Sequence, residues 1–190
     1  MSLAKLKKQK GKRILGVDAS TNSFAFCIID NKKVISYGEI NFDGADIYER
    51  ILDAKRKMAA ISNGGFLAVD FVAIEAAVSV KSVHTAIKMA YVFGAVMGEI
   101  LNDNIDIIEV HPITWQSYIG NKNFTKAQKE QVKKENPGRS EAWIKGKIRE
   151  TRKNITKEFA KSKGVITDSD NVSDAFGIAW YAAHELVGQE

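Results

Sequence analysis

The sequence predicts an α/β domain: a five-stranded mixed sheet, three antiparallel strands and then β-α units, with helices on both faces. Three observations predict it. Three short strand-like runs stand together near the start, joined by connections too short for anything but antiparallel neighbours. Two further apolar runs then alternate with segments of helical period. The length of 190 residues, with 45% hydrophobic and 27% charged residues, suits one compact domain.

The elements follow in order. Residues 14–20 and 23–30 are apolar and β-branched, and residues 33–42 alternate. Asn31-Lys32 makes the turn between the second and third strands. Residues 46–62 place Ile47, Ile51, Leu52, Ala54, Met58 and Ile61 at helical spacing, and Asn63-Gly64-Gly65 stops them. Residues 71–76 form a buried strand. Residues 80–102 form a long helix, and residues 105–110 a fifth strand. Pro112 opens a short helix through Tyr118, where its missing N–H costs nothing, and Gly120 closes it. Residues 122–163 are helical and basic, broken at Asn136-Pro137-Gly138, and read as an insertion over the core. Ser169 or Asp170 caps a last helix over residues 171–186. This order is the outline of the ribonuclease H-like fold, parts of which several other α/β folds share. The expected organisation is a basic arm at 1–13 and one domain at 14–190.

Composition excludes several classes. The single Cys27 rules out a disulfide framework or a Cys-rich zinc site and fits a reducing compartment. No run approaches the roughly 20 apolar residues of a membrane span, and no secretion signal precedes Asp18. The expected location is therefore the cytoplasm.

The net charge of +5 is unevenly placed. Residues 1–13 hold six Lys/Arg and no acid, and residues 122–163 hold fourteen Lys/Arg against five acids. The remaining chain is acidic. Basic segments of this kind favour polyanions, nucleic acid among them. The expected phosphate contacts are Lys122, Lys126, Lys145, Lys147, Arg149, Arg152 and Lys153.

Three acids stand among apolar neighbours: Asp18 in Leu15-Gly16-Val17-Asp18-Ala19, Glu75 at the end of Phe71-Val72-Ala73-Ile74, and Asp174 in Val172-Ser173-Asp174-Ala175-Phe176. A carboxylate in such a setting costs several kcal/mol unless it is paired or bound to metal. Each has an ordinary structural explanation alone; Asp18 can open a turn, Glu75 can close a strand, and Asp170 can cap a helix. Together, at two strand ends and the start of the last helix, they suit Mg²⁺, with Mn²⁺ as a substitute. Asp170 lies four residues before Asp174, on the same helix face. Paired cations of this kind hydrolyse phosphodiesters. His111 and Trp115 are expected to serve as loop and core residues.

At these residues the chain resembles the RuvC-like Holliday junction resolvases, in particular the smaller phage-type members. The resemblance rests on Leu15-Gly16-Val17-Asp18-Ala19-Ser20-Thr21, on Ala73-Ile74-Glu75, on Val110-His111-Pro112, and on Asp170-Asn171-Val172-Ser173-Asp174-Ala175. It implies a homodimeric, Mg²⁺-dependent endonuclease that binds a four-way DNA junction and nicks two strands symmetrically by two-metal hydrolysis. It also implies that Asp18, Glu75 and Asp174 are catalytic metal ligands and that the helix over residues 80–102, rich in Ala and Gly, forms the dimer seam. Many members carry Asp or His where this chain has Asn171, so the fourth ligand is either Asp170 or Asn171, with the carboxylate favoured. The family often has an aromatic residue where this chain has Val78. The alternatives are a nuclease of the same fold acting on flaps, forks or RNA–DNA hybrids, and a non-catalytic module that binds branched DNA.

Overall fold

The computed structural model describes residues 13–63, 68–76 and 82–187. The expected basic arm therefore lies outside the described residues except for Arg13, which opens the first strand, β1 (Arg13–Ala19). Strand β2 (Ser23–Asp30) and strand β3 (Lys33–Asn41) complete an antiparallel meander. Asn31 and Lys32 both take positive φ, 48° and 64°, the backbone a two-residue hairpin needs.

Helix α1 (Ile47–Asn63) leads to β4 (Phe71–Glu75), and helix α2 (Val83–Ile100) to β5 (Asp106–Val110). The expected start of α2 at residue 80 falls in a stretch outside the described residues, as does Val78; Ser82 caps the helix by accepting from the Thr85 N–H. Helix α3 (Pro112–Tyr118) follows, then α4 (Lys126–Glu135) and α5 (Glu141–Ser162). The last helix, α6 (Asp170–Tyr181), runs into a π-helical turn at Ala182–Leu186. Ser169 is its cap, accepting from the Val172 N–H, and Asp170 is its first helical residue. Asp170 is thus free of the capping role that the sequence allowed it.

The sheet order is β3-β2-β1-β4-β5, with β1, β4 and β5 parallel. Side chains alternate between faces along each strand. Ile14, Ala25, Cys27, Ile29, Phe71 and Ala73 pack under α6. Leu15, Val17, Phe24, Phe26, Ile28 and Val72 pack on the other face with residues of α1 and α2. Within α6 every residue from Ala175 to Ala179 is buried. Each large apolar side chain so placed contributes about 1.5–3 kcal/mol.

Helix α6 lies close on the sheet because two glycines allow it. A Cβ on Gly16 would stand 2.3 Å from the Ala175 carbonyl oxygen and 2.6 Å from the Ala179 Cβ. A Cβ on Gly177 would stand 2.5 Å from the Trp115 ring. Gly16 therefore sets the β1–α6 approach, and Gly177 sets α3 against α6. The basic segment is anchored rather than loosely attached: α5 buries Ile144, Thr156 and Ala160. Among the described residues no helix is long and apolar enough to cross a membrane.

Candidate active site

The alternation that buries Gly16 under α6 also turns Asp18 to that face, two residues on. Likewise Ala73 is buried there, and Glu75 follows it. Strands β1 and β4 are paired in parallel up to Val17 with Ile74, so Asp18 and Glu75 leave the sheet side by side at the same end. Asp174 comes down on them from the second turn of α6, at the height fixed by the Gly16 contact. The electrostatics record this convergence. Burial, then Glu75 and Glu39, push the Asp18 carboxyl up to about 6. Burial, then Asp18, Glu75 and Asp170, push Asp174 up to about 7. Among the described residues neither group has a hydrogen-bond or ion-pair partner.

Glu75 departs from the expectation of a buried acid. It is exposed at the strand's end, although the protein packed around it still raises its carboxyl. Its Oε1 accepts from the Trp115 indole N–H at 3.0 Å. Trp115 is fully buried, as expected of a core residue, but it has this second task of aiming Glu75. His111, the cap of α3, accepts from the Ile113 N–H at 3.3 Å and lies near enough to Glu75 to favour its charge.

Asp170 and Asn171 each have partners of their own. Lys153 binds one oxygen of Asp170, and Lys157 reaches the other at 2.9 Å. Burial opposes the charge on Asp170, but the two ammonium groups prevail and hold its carboxyl below the usual range. Asn171 donates through its amide nitrogen to Glu39 Oε1 at 2.7 Å. Glu39 is the residue that the sequence reading passed over. Its Oε2 accepts from Ser169 Oγ at 2.6 Å. Burial opposes its charge, yet the bonds from Ser169, Asn171 and Ser23 keep its carboxyl low.

The basic residues divide. Lys122, Lys126, Lys145, Lys147 and Arg149 are exposed, with Lys147 paired to Glu150 at 3.0 Å. Arg152 turns inward as a strut, donating to Asn121 Oδ1 at 3.0 Å and Gln116 Oε1 at 2.6 Å. Lys153 is committed to Asp170. A cleft of about 320 Å³ lies among Lys145, Arg149, Arg152 and Lys153, and Asp174 lines it as well. One wall of the acidic cluster is therefore also a wall of a basic cleft.

A family model, the crossover junction endodeoxyribonuclease RuvC, matches residues 14–135, well over half of the chain. The chain belongs to the RuvC family. The match ends before α5, so Asp170 and Asp174 lie beyond it. A search of the curated proteins finds no match. Among solved structures, Thermus thermophilus RuvC in complex with a Holliday junction substrate superposes with a TM-score of 0.61 at 10% identity, over 93% of this chain and 98% of that one. A second T. thermophilus RuvC structure gives 0.59 at 10% identity, with the same coverage of both chains. The yeast mitochondrial Holliday junction resolvase Ydc2 gives 0.48 at 11% identity, over 95% of this chain and 82% of that one. RuvC and this chain share the ribonuclease H-like arrangement of a mixed five-stranded sheet flanked by helices.

Among the described residues no three His, Cys, Asp or Glu side chains are placed so that they could together hold a metal ion. The donor set nevertheless fits a hard divalent cation. Asp18, Glu75 and Asp174 offer carboxylate oxygen only and repel one another; among the described residues no ion pair joins them to Lys or Arg, although Lys153 favours the charge of Asp174 and His111 that of Glu75.

Proposed function

We propose that this RuvC-family chain is a divalent-cation-dependent endonuclease that resolves four-way (Holliday) DNA junctions by paired, symmetric nicks. The observation that carries the reading is the pair Asp18 and Asp174, each raised by burial and by neighbouring acids and neither partnered among the described residues, with Asp174 lining a basic cleft. Such a pair is costly as it stands and becomes favourable when a cation occupies it. The bound junction in the T. thermophilus RuvC complex supports the choice of substrate.

Asp18, Glu75 and Asp174 would hold Mg²⁺ or Mn²⁺. When bound, the cation supplies Lewis acidity for phosphodiester hydrolysis. The chain's own side chains do the rest. Trp115 fixes the Glu75 carboxylate, and Gly16 sets Asp174 over Asp18. Lys145 and Arg149 take phosphates beside the cluster, with Lys122 and Lys126 further out along the strand's path. These contacts are independent of sequence and weaken steeply with salt. Asp170 joins the donor set only by giving up Lys153 and Lys157.

Two copies are required for two nicks. Helix α2 presents Val83, Ile87 and Tyr91, exposed by 73%, 44% and 52%, in line with Gly94 and Gly98, whose missing side chains would meet nothing. An apolar stripe ending in glycines suits a two-fold seam with a second copy.

The test is a nicking assay with Mg²⁺ on an immobile four-way junction, a linear duplex of the same sequence, a flap, a fork and an RNA–DNA hybrid. Paired symmetric nicks in the junction alone are expected. Cleavage of the hybrid, or of flaps and forks equally, would reassign the substrate. Tight junction binding without cleavage in either Mg²⁺ or Mn²⁺ would make the chain a binding module.

A further inference from the structure

We propose that Glu39 supplies the fourth carboxylate of the cation centre, and that Asn171 and Ser169 aim it rather than joining the donor set themselves. The inference rests on the metal-dependent reading above and concerns which side chains complete it.

The register puts Glu39 in place. Asp18 pairs with Ala25, and Ala25 pairs with Glu39, so the three stand in one row across β1, β2 and β3. Residues paired in this way project from the same face. Glu39 and Asp18 thus flank Ala25 on the α6 side, near enough for the Glu39 charge to act on Asp18.

The hydrogen bonds show how Glu39 is held. Ser169 Oγ accepts from the Val172 N–H to cap α6 and in turn donates to Glu39 Oε2 at 2.6 Å. Asn171 donates to Oε1 at 2.7 Å. An ionised carboxylate offers about four acceptor positions. With the bond from Ser23, three of these are taken and one is left for a cation, as in an oriented ligand. Three donors, counting Ser23, converge on Glu39 where it faces Asp18 across Ala25. A donor cradle that sustains an anion against a like charge makes sense when a cation lies between them.

The two residues that the sequence offered for the fourth position are otherwise engaged. Asp170 has an ammonium group on each oxygen. Asn171 is tied to Glu39 through its amide nitrogen, and the oxygen it could offer is a neutral amide, a weaker ligand for a hard cation than a carboxylate. The same first turn of α6 that would have supplied a ligand here steadies one on β3.

The test is Mn²⁺ binding at pH 8, followed by electron paramagnetic resonance of free Mn²⁺, with thermal melts confirming that each variant is folded. Wild type, Asp18→Asn, Glu39→Gln, Asn171→Leu and Asp170→Asn are compared. Glu39→Gln is expected to weaken Mn²⁺ by about tenfold or more, and Asn171→Leu by about tenfold through loss of aim. Asp170→Asn is expected to leave Mn²⁺ binding at the wild-type level. Wild-type binding in Glu39→Gln, with binding lost in Asp18→Asn, would overturn the role of Glu39 and leave the centre standing. Wild-type binding in Asp18→Asn as well would overturn the metal centre itself. Should Glu39→Gln fail to fold, Asn171→Leu decides, and undiminished binding there counts against the proposal.

Discussion

The two ends of strand β1 treat acids in opposite ways. At its start, Arg13 donates its backbone N–H to Asp70 at 2.9 Å and its guanidinium to Asp30 at 3.3 Å. Five residues on, about 17 Å away, Asp18 meets Glu75 and Asp174 with no such partner among the described residues. Asp53 on α1 repeats the first pattern, with Lys57 at 2.7 Å, Arg56 at 3.1 Å and the Asp43 N–H at 2.9 Å. The hydrogen bond from Lys57, before all else, holds its carboxyl low. A matched acid is part of the scaffold. The acids without such partners are those of the proposed cation site.

The contrast can be broken in order of expected effect. Asp18→Asn should lower junction nicking on the order of a thousandfold while junction binding on gels is retained; Asp70→Asn at the other end should leave nicking unchanged. Equal losses in both would show that the two ends do not differ in kind. Gly16→Ala comes next. Its Cβ would meet the Ala175 carbonyl, and overpacking of this kind costs about 3 kcal/mol. The melting temperature should fall by about 10 °C, with loss of nicking as Asp174 moves from Asp18.

The pH response sharpens the same comparison. Folded Asp18 and Asp174 titrate at about 6 and about 7, above the unfolded value of 3.8. The folded state then binds more protons than the unfolded state across that interval. Without divalent cations, stability is greatest below about pH 4 as far as these groups decide it. It falls as pH rises to about 7, by on the order of several kcal/mol. Cation binding must displace the same protons, so Mn²⁺ affinity should increase between pH 6 and 8. A melting temperature flat from pH 4 to 8 in chelator would contradict this. The smallest effect is expected of Trp115→Phe, which keeps the ring and loses the bond to Glu75. The cost is about 1.4 kcal/mol, read as roughly tenfold slower nicking with junction binding unaltered.

Much of this was legible in the sequence, for identifiable reasons. Strand β2, the Asn31-Lys32 turn and the Pro112 helix announce themselves because their residue types fit few other backbones. Asp18, Glu75 and Asp174 stood out because each interrupts an apolar run. Glu39 did not, and the reason is geometric. A regular hairpin in which Asp30 pairs with Lys33 would set Gly38 opposite Ala25. The register shifts by one residue between Ile28 and Ile29, so Glu39 takes that place instead. A slip of one residue exchanges the faces of a strand, and nothing local in the sequence announces it. The roles of Arg152 and Lys153 were hidden likewise. A basic residue on a helix reads as a phosphate contact until the tertiary partners, Gln116, Asn121 and Asp170, are brought alongside. The capping of α6 by Ser169 rather than Asp170 turned on a single residue, the ordinary margin at a helix start.

The measurement that tests the central claim most directly is the melting temperature of wild type and Asp18→Asn at pH 8, in chelator and then in excess Mg²⁺. If unmatched acids are waiting for a cation, wild type should melt lower than Asp18→Asn in chelator. It should then rise markedly with Mg²⁺ while the variant barely responds. A wild type that melts above the variant in chelator and ignores Mg²⁺ would mean that the acids at this end of β1 are already satisfied within the fold.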